Sequence, residues 1–116
     1  MSLKEKIRKA DDIKKETVPI PAWDCSIELR TMTAKQRAYV LNESMDENTG
    51  KIQHDKLHAQ MLIACCFDPE NGEKLFSADD SEWLMEKSSG PVELLVSKAM
   101  RLSGLTKDAA ETAEKN

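Results

Sequence analysis

The chain has 116 residues and a mass of 13.0 kDa, with 21 acidic and 17 basic side chains and a net charge of −4. This length favours one domain over residues 1–116, and the acidic balance argues against a nucleic-acid partner, which would need many cationic contacts. The longest apolar run, Met61–Phe67, is far shorter than the roughly 20 residues that cross a bilayer, so no membrane partner is expected.

The sequence contains neither a secretory signal nor a clear set of paired cysteines. No long apolar stretch follows the charged first residues, whereas a signal peptide needs one of roughly 7–15 residues. The three cysteines are an odd number, and Cys65 and Cys66 are neighbours that could pair only with strained geometry. We therefore expect reduced thiols and a cytoplasmic location.

The first predicted element is a charged helix over residues 1–15. Ser2 and Glu5 have the spacing of a capping box, in which each side chain satisfies a backbone N–H at the other's position. One narrow apolar stripe has near-helical spacing and consists of Leu3, Ile7, Ala10 and Ile13. Six basic and three acidic residues give the segment a charge of +3, so the remaining residues carry −7. This asymmetry favours an acidic partner, or it reflects a solvated helix face.

A β-hairpin is predicted next, because Pro19 and Pro21 prevent a helix from crossing this region. The segment Cys25–Arg30 alternates apolar and polar residues with the period of a strand. The inward-facing residues of this strand would be Cys25, Ile27 and Leu29. A companion strand over Glu16–Ile20 completes the hairpin, which must lie against helices because two strands alone are marginally stable in water.

Two helices are predicted after the hairpin. Thr33 and Gln36 form a second capping-box pair, and the helix they begin extends to about Met45. Its expected buried stripe is Ala34, Ala38, Leu41 and Met45. Asp55 caps the next helix, which becomes apolar on all sides toward Cys66. We expect this second helix to be the central element of the core.

A turn and a short helix are predicted to follow. The segment Asp68–Glu73 contains proline and glycine and has the composition of a turn. Ser77 and Asp80 then provide an N-terminal cap. The short helix that follows is anchored by Trp83 and Leu84.

The last main helix is predicted to begin near Pro91 and to end at Gly104, a glycine in the usual position after a helix. Its expected buried stripe is Val92, Leu95, Val96, Ala99 and Leu102. Residues 106–116 are polar, and we expect this tail to become ordered only against a partner. Together the elements predict an α+β, predominantly helical fold, in which four to five helices pack around a small two-stranded β-hairpin.

No catalytic, cofactor or metal site is expected. His54 and His58 lie four residues apart on a predicted helix, upstream of Cys65 and Cys66, and these are the ligand types that zinc prefers. Adjacent residues of a helix point about 100° apart, so all four side chains cannot converge on one ion. Both cysteines also lie in an apolar run, where burial raises a thiol pKa and disfavours a nucleophilic thiolate.

Partner binding is the remaining possibility, and the candidates are the apolar stripe of the N-terminal helix and the two tryptophans. Exposed aromatic side chains are common anchors in protein interfaces, although a core position is the alternative for each tryptophan. The candidate partner-binding residues are Leu3, Ile7, Ala10, Trp23 and Trp83.

Three stretches of the sequence form a familiar pattern. They are Thr17–Trp23 running into Ile27–Lys35, Asp68–Gly72 followed by Leu75 and Phe76, and Ala99–Thr106. This pattern resembles the tail assembly chaperones of tailed bacteriophages and their prophages. The resemblance implies a non-enzymatic cytoplasmic protein without a cofactor, which coats the long helical tape-measure protein and helps to bring tail-tube subunits to it. It assigns no role to the histidines or to the neighbouring cysteines.

Two other hypotheses remain at this point. The chain could be another phage or bacterial adaptor that forms homo-oligomers through the stripe of Leu3 and Ile7. It could also be an enzyme that uses Cys65 or Cys66 with His58. The first predicts self-assembly without any effect on a tape-measure polypeptide, and the second predicts thiol-dependent turnover.

Overall fold

The computed structural model describes residues 1–105, in which five α-helices and a three-stranded sheet pack around one hydrophobic core. The helices are α1 (Leu3–Lys9), α2 (Ala34–Ser44), α3 (His54–Cys65), α4 (Ser81–Leu84) and α5 (Ser89–Leu102). The strands are β1 (Lys15–Ile20), β2 (Cys25–Arg30) and β3 (Cys66–Phe67). The predicted class, α+β and predominantly helical, is confirmed. Of the helices in this part of the chain, none is long and apolar enough to cross a bilayer. The predicted polar tail over 106–116 lies outside the described residues.

The predicted hairpin forms, and a third strand extends it. β1 and β2 are antiparallel, with Val18 opposite Ile27, and a 3₁₀ turn over Pro21–Trp23 joins them. β3 pairs with β2, placing Cys66 opposite Leu29, so it binds backbone groups that a two-stranded hairpin would leave open. The sheet has three strands rather than two because the chain leaves α3 one residue earlier than predicted and continues in extended form.

One face of the hairpin is buried, and Cys25 is not part of that face. The buried residues are Val18, Ile20, Ile27 and Leu29. Cys25, which was expected to point inward, is exposed. It is the first residue of β2 and follows Asp24, which has a left-handed backbone with φ of 51°. Cys25 therefore lies at the turn end of the sheet rather than over the core.

α1 is shorter than the predicted helix over residues 1–15. It ends at Lys9, and the next residue already has extended backbone. The acidic pair Asp11–Asp12 follows, and negative charge at a helix C-terminus opposes the helix dipole. The chain then joins the sheet: the Lys14 N–H donates to Thr31 Oγ1 at 3.0 Å, and the Thr31 N–H donates to the Lys14 carbonyl at 3.0 Å. Within residues 1–105, no side chain of α1 is buried.

α2 begins as predicted but buries a different face. Thr33 Oγ1 accepts from the Gln36 N–H at 3.1 Å, and Gln36 Oε1 accepts from the Thr33 N–H at 2.8 Å. The expected stripe is wrong, since Leu41 is half-buried while Ala34, Ala38 and Met45 are exposed. The buried residues are Val40 and Ser44. Ser44 can be buried because its hydroxyl donates to the Val40 carbonyl at 2.6 Å.

α3 is the central helix, as predicted, and packs against α2, α4 and α5. Its N-cap residue is Gln53 rather than Asp55. Asp55 lies in the first turn instead, where its negative charge still favours the helix dipole. The buried residues of α3 are Ala59, Met61, Leu62, Ala64 and Cys65.

α5 packs against α3 and the sheet with its predicted stripe. The buried residues are Val92, Leu95, Val96 and Ala99, and Leu102 is half-buried. The helix ends in a Schellman motif, in which the Leu105 N–H donates to the Met100 carbonyl at 2.8 Å and the Gly104 N–H to the Arg101 carbonyl at 3.1 Å. Gly104 has a φ of +73°, which glycine adopts without steric cost. The predicted end of this helix is confirmed.

Candidate partner-binding site

Trp23 and Trp83, which are distant in sequence, line one groove of about 500 Å³. One wall is the turn between β1 and β2, and the other is the segment that leads from Leu75 through α4. The large apolar side chains of the lining are Trp23, Ile27, Leu75, Phe76, Trp83 and Leu84. We call this feature the aromatic groove.

Trp83 is half exposed and is held in one orientation by its neighbours. Its side chain is 47% exposed, and its indole Nε1 donates to Asp80 Oδ1 at 2.9 Å. The ring meets Phe76 edge to face, with centroids 5.9 Å apart and planes at 70°, a favourable aromatic geometry. A large aromatic surface that is already ordered loses little conformational entropy on binding. Trp83 is therefore well suited to anchor a partner.

Asp80 connects this anchor to the local backbone. Its second carboxylate oxygen, Oδ2, accepts from the Ser77 N–H at 2.8 Å and from the Ser77 hydroxyl at 3.3 Å. The hydrogen bond from the Ser77 backbone, followed by the one from the Trp83 indole, lowers the pKa of the Asp80 carboxyl below its usual value. At neutral pH the carboxylate is therefore ionised and accepts hydrogen bonds from both the Ser77 N–H and the Trp83 indole.

Trp23 forms the opposite wall of the groove. It ends the 3₁₀ turn, which Pro21 begins and in which the Asp24 N–H donates to the Pro21 carbonyl at 3.1 Å. The Trp23 side chain is half-buried and packs against the core. Leu75, on the Trp83 side, is 38% exposed. The groove thus has a buried apolar floor, which includes Ile27 and Leu84, and an accessible apolar rim.

The other three candidate residues lie on a separate surface. Leu3 and Ile7 of α1 are 74% and 69% exposed, and Ala10, just beyond the helix, is exposed as well. The lining of the aromatic groove comes from residues 22–27 and 75–87. The five candidates therefore form two patches, the α1 face and the aromatic groove.

The two neighbouring cysteines, Cys65 and Cys66, lie inside the core and are not accessible thiols. Cys65 and Cys66 are fully buried, and burial raises the pKa of the Cys65 thiol to about 12 and also raises the pKa of Cys66. Both thiols stay protonated at neutral pH and are poor nucleophiles. His54 is exposed and His58 is half-buried. Over residues 1–105, no group of three or more His, Cys, Asp and Glu side chains is placed to bind a metal ion.

Sequence reasoning missed Leu75, Phe76 and Asp80 as members of the site. Leu75 and Phe76 follow the predicted turn and were not among the candidate partner-binding residues. Asp80 was identified as a helix cap. Its position three residues before Trp83, one helical turn away, is the signal that could have linked it to the indole.

No family model and no curated protein matches this sequence. Among solved structures, the chain is similar to the bacteriophage HK97 tail assembly chaperone, with a TM-score of 0.59 and 18% sequence identity. The match covers 84% of this chain and 90% of the other. At this identity the comparison concerns the backbone, so this chain has a fold like that of a phage tail assembly chaperone.

Proposed function

We propose that this chain is a phage tail assembly chaperone, which binds a tape-measure protein in the host cytoplasm and assists tail-tube assembly without catalysing a reaction. The observation that carries the proposal is the fold likeness to the HK97 tail assembly chaperone over most of both chains. The sequence resemblance to the same class rests on separate evidence, the residues themselves, and points the same way.

In this proposal the aromatic groove receives the apolar face of a tape-measure helix. A long helical polypeptide exposes apolar stripes until the tail tube encloses it, and such stripes promote aggregation. Packing a helix into an apolar groove is a common mode of recognition. The exposed edges of Trp83 and Leu75 provide the contact surface, and the hydrogen bond to Asp80 keeps Trp83 in place.

The charge of the chain supports the same role. Its net charge of −4 helps to keep a coated complex in solution, because copies of like charge repel one another. Many modest contacts along a long partner also allow release when tail-tube subunits arrive, since avidity is lost stepwise.

Coexpression with a tape-measure fragment tests the proposal. We expect the fragment to be soluble and to copurify with the wild-type chain. Trp83→Ala should reduce recovery strongly, while Tyr39→Ala should not, because Tyr39 is a 59% exposed aromatic residue on α2 outside the groove. Thermal unfolding of both variants checks that they fold. A fragment that precipitates equally with and without the wild-type chain would contradict the proposal.

A second function, that of a homo-oligomerising adaptor, is favoured by one observation. Leu3 and Ile7 are exposed on the same side of α1 and provide an apolar surface of the kind that mediates self-association. If this is the whole function, the chain self-associates but leaves the tape-measure fragment insoluble. The coexpression experiment therefore separates the two functions.

A further inference from the structure

A second groove lies along α2 and α3 and, among residues 1–105, shares no lining residue with the aromatic groove. It consists of two adjoining cavities of about 260 Å³ and 420 Å³, which meet at Gln60. One cavity is lined by side chains from residues 35–40 of α2 and 60–64 of α3, and the other by Glu43 of α2 and side chains from residues 55–60 of α3. α2 and α3 therefore run in opposite directions along one groove, which we call the α2–α3 groove.

The middle of the α2–α3 groove is apolar. Val40, Ala59 and Ala64 form its buried floor. Tyr39 stands at the edge and is 59% exposed. Tyrosine is frequent among the residues that dominate binding energies, because it offers a large contact area at a low cost in conformational entropy. This part of the groove can therefore receive an apolar side chain of a partner.

The two ends of the α2–α3 groove carry opposite charges. At the end where α2 begins, the charged residues of the described lining are Lys35 and Lys74. The other end is acidic, and its charged residues are Glu43, Asp55, Lys56, Glu82 and Glu86. Lys35 and Glu43 are eight residues apart on α2, which corresponds to about 12 Å along the helix axis. The charge along the groove thus changes from positive to negative over about two helical turns.

The charged side chains of the α2–α3 groove are not neutralised within residues 1–105. The ion pairs in this part of the chain are Arg8–Glu5 and Arg30–Glu28, and none of these four residues lines the groove. A partner can therefore pair with the charges of the groove without first breaking an ion pair of this region. Complementary charges at the two ends would also fix the direction in which the partner lies.

We propose that the α2–α3 groove binds a helix of another protein that has an acidic N-terminal end, an apolar centre and a basic C-terminal end. The acidic end lies beside Lys35 and Lys74, the apolar centre packs on Tyr39, and the basic end lies beside Glu43 and its acidic neighbours. The partner helix then runs parallel to α2. This order of charges also favours the partner's own helix dipole, and packing a helix in a groove is a common mode of recognition.

The charge pattern of the groove argues against a second copy of this chain as the occupant. α1 is amphipathic, but it carries Lys4 and Lys6 in its first residues. In the same orientation these side chains would lie beside Lys35 and Lys74, where like charges repel. The inference goes beyond the proposed function, because the partner is a second protein that binds apart from the aromatic groove.

Two designed helical peptides of about 16 residues test the α2–α3 groove. The first has glutamates in its first turn, leucines at its centre and lysines in its last turn. The second has the same composition with the charged ends exchanged, so it is a matched control. Fluorescence anisotropy of dye-labelled peptides measures binding to the full chain. We expect the first peptide to bind about tenfold or more tightly than the second, and high salt to reduce this difference because it screens the charges.

Charge reversal in the groove tests the orientation. Lys35→Glu/Lys74→Glu should weaken binding of the first peptide by about tenfold or more. Adding Glu43→Lys and Glu82→Lys to this variant should make the second peptide the tighter ligand. Thermal unfolding checks that each variant folds, and Lys74→Gln replaces the double variant if that chain does not unfold cooperatively.

A further pair of variants tests the apolar centre. Tyr39→Ala should weaken binding of the first peptide, because it removes the exposed aromatic surface. Leu94→Ala should leave binding unchanged, since Leu94 is 41% exposed on α5 and lies outside the groove.

Three results would overturn the proposal. They are equal binding of the two peptides, no binding of the first peptide, and binding that is unaffected by Lys35→Glu/Lys74→Glu. Light scattering of the chain alone supplies a fourth: self-association that this double variant abolishes would identify the occupant as a second copy.

These measurements contain no tape-measure fragment, so they are independent of the coexpression experiment. A chain that rescues the fragment but does not distinguish the two peptides refutes the second binding site alone. A chain that distinguishes the peptides but does not rescue the fragment refutes the proposed function alone.

Discussion

α5 and α1 are both amphipathic by sequence, yet in the described part of the chain only α5 has its apolar face covered. Four residues of α5 are buried, including Leu95 at 0% exposure, whereas Leu3 and Ile7 of α1 are largely exposed. Burying a large aliphatic side chain contributes about 1.5–3 kcal/mol, while ordering each linker residue costs about 1–2 kcal/mol. Two such side chains contribute about 3–6 kcal/mol, against about 5–10 kcal/mol for ordering a five-residue linker, so they leave little or no net stabilisation. The number of apolar residues therefore decides whether a helix is held by its own chain.

The largest effect should come from shortening a buried side chain of α5. Leu95→Ala should lower the free energy of unfolding by about 2–5 kcal/mol, because it removes a fully buried side chain and leaves a cavity. Leu94→Ala is the matched control, since Leu94 is its neighbour on the same helix and is 41% exposed. We expect this control to cost less than about 1 kcal/mol. Chemical denaturation measures both, and equal losses would show that α5 is not held by its stripe.

Substitution of Gly104, at the end of α5, should lower the free energy of unfolding by a smaller amount. Gly104→Ala places a side chain on a backbone with φ of +73°, which costs about 1–2 kcal/mol. Gly104→Asn should cost less, because asparagine tolerates the left-handed region better than alanine. Thermal unfolding compares the three chains. If alanine and asparagine are equally tolerated, the Schellman motif does not set the end of this helix.

The corresponding change in α1 should leave stability almost unaltered. Leu3→Ser/Ile7→Ser should change the free energy of unfolding of the monomer by less than about 0.5 kcal/mol, since both side chains are exposed. The measurement is chemical denaturation at a concentration where the chain is monomeric. A loss comparable to that of Leu95→Ala would mean that α1 packs on the core after all.

The smallest effect should be the response of the Trp83 side chain to acid, which protonates Asp80. The pKa of Asp80 lies below its usual value of 3.8, so the stabilisation from its hydrogen bonds is present above that pH and is lost as pH falls through the lower folded pKa. In a Trp23→Phe chain, we expect Trp83 fluorescence to change below pH 3.8. Asp80→Asn should remove this step while far-ultraviolet circular dichroism follows the helices. A step that persists in Asp80→Asn would assign it to another carboxyl.

Much of the fold could be predicted because local rules and tertiary packing agree. The alternation in β2, the capping box at Thr33 and the stripe of α5 are all set by short spacings. The predictions of burial and of element boundaries were wrong where tertiary packing overrides those local rules. Ser44 is polar by type but buried through a bond to its own helix, and Cys66 leaves a helical pattern to extend the sheet.

The candidate site could be predicted only in part. Trp23 and Trp83 were identified as possible anchors from their residue type, but nothing local in the sequence indicates that they line the same groove. That depends on how the hairpin turn and the segment before α4 pack on the core. Phe76 was missed for the same reason, since it sits at the end of a turn with no periodic pattern around it.

The exposed position of Cys25 has a practical consequence. Of the three cysteines, two are sealed in the interior and the third lines the groove beside Trp23. The native chain thus carries one thiol that reagents can reach, and this thiol lies where the proposed partner helix would bind. A maleimide dye attached to Cys25 would report a partner in the groove, and protection of this thiol from alkylation would show whether the groove is occupied.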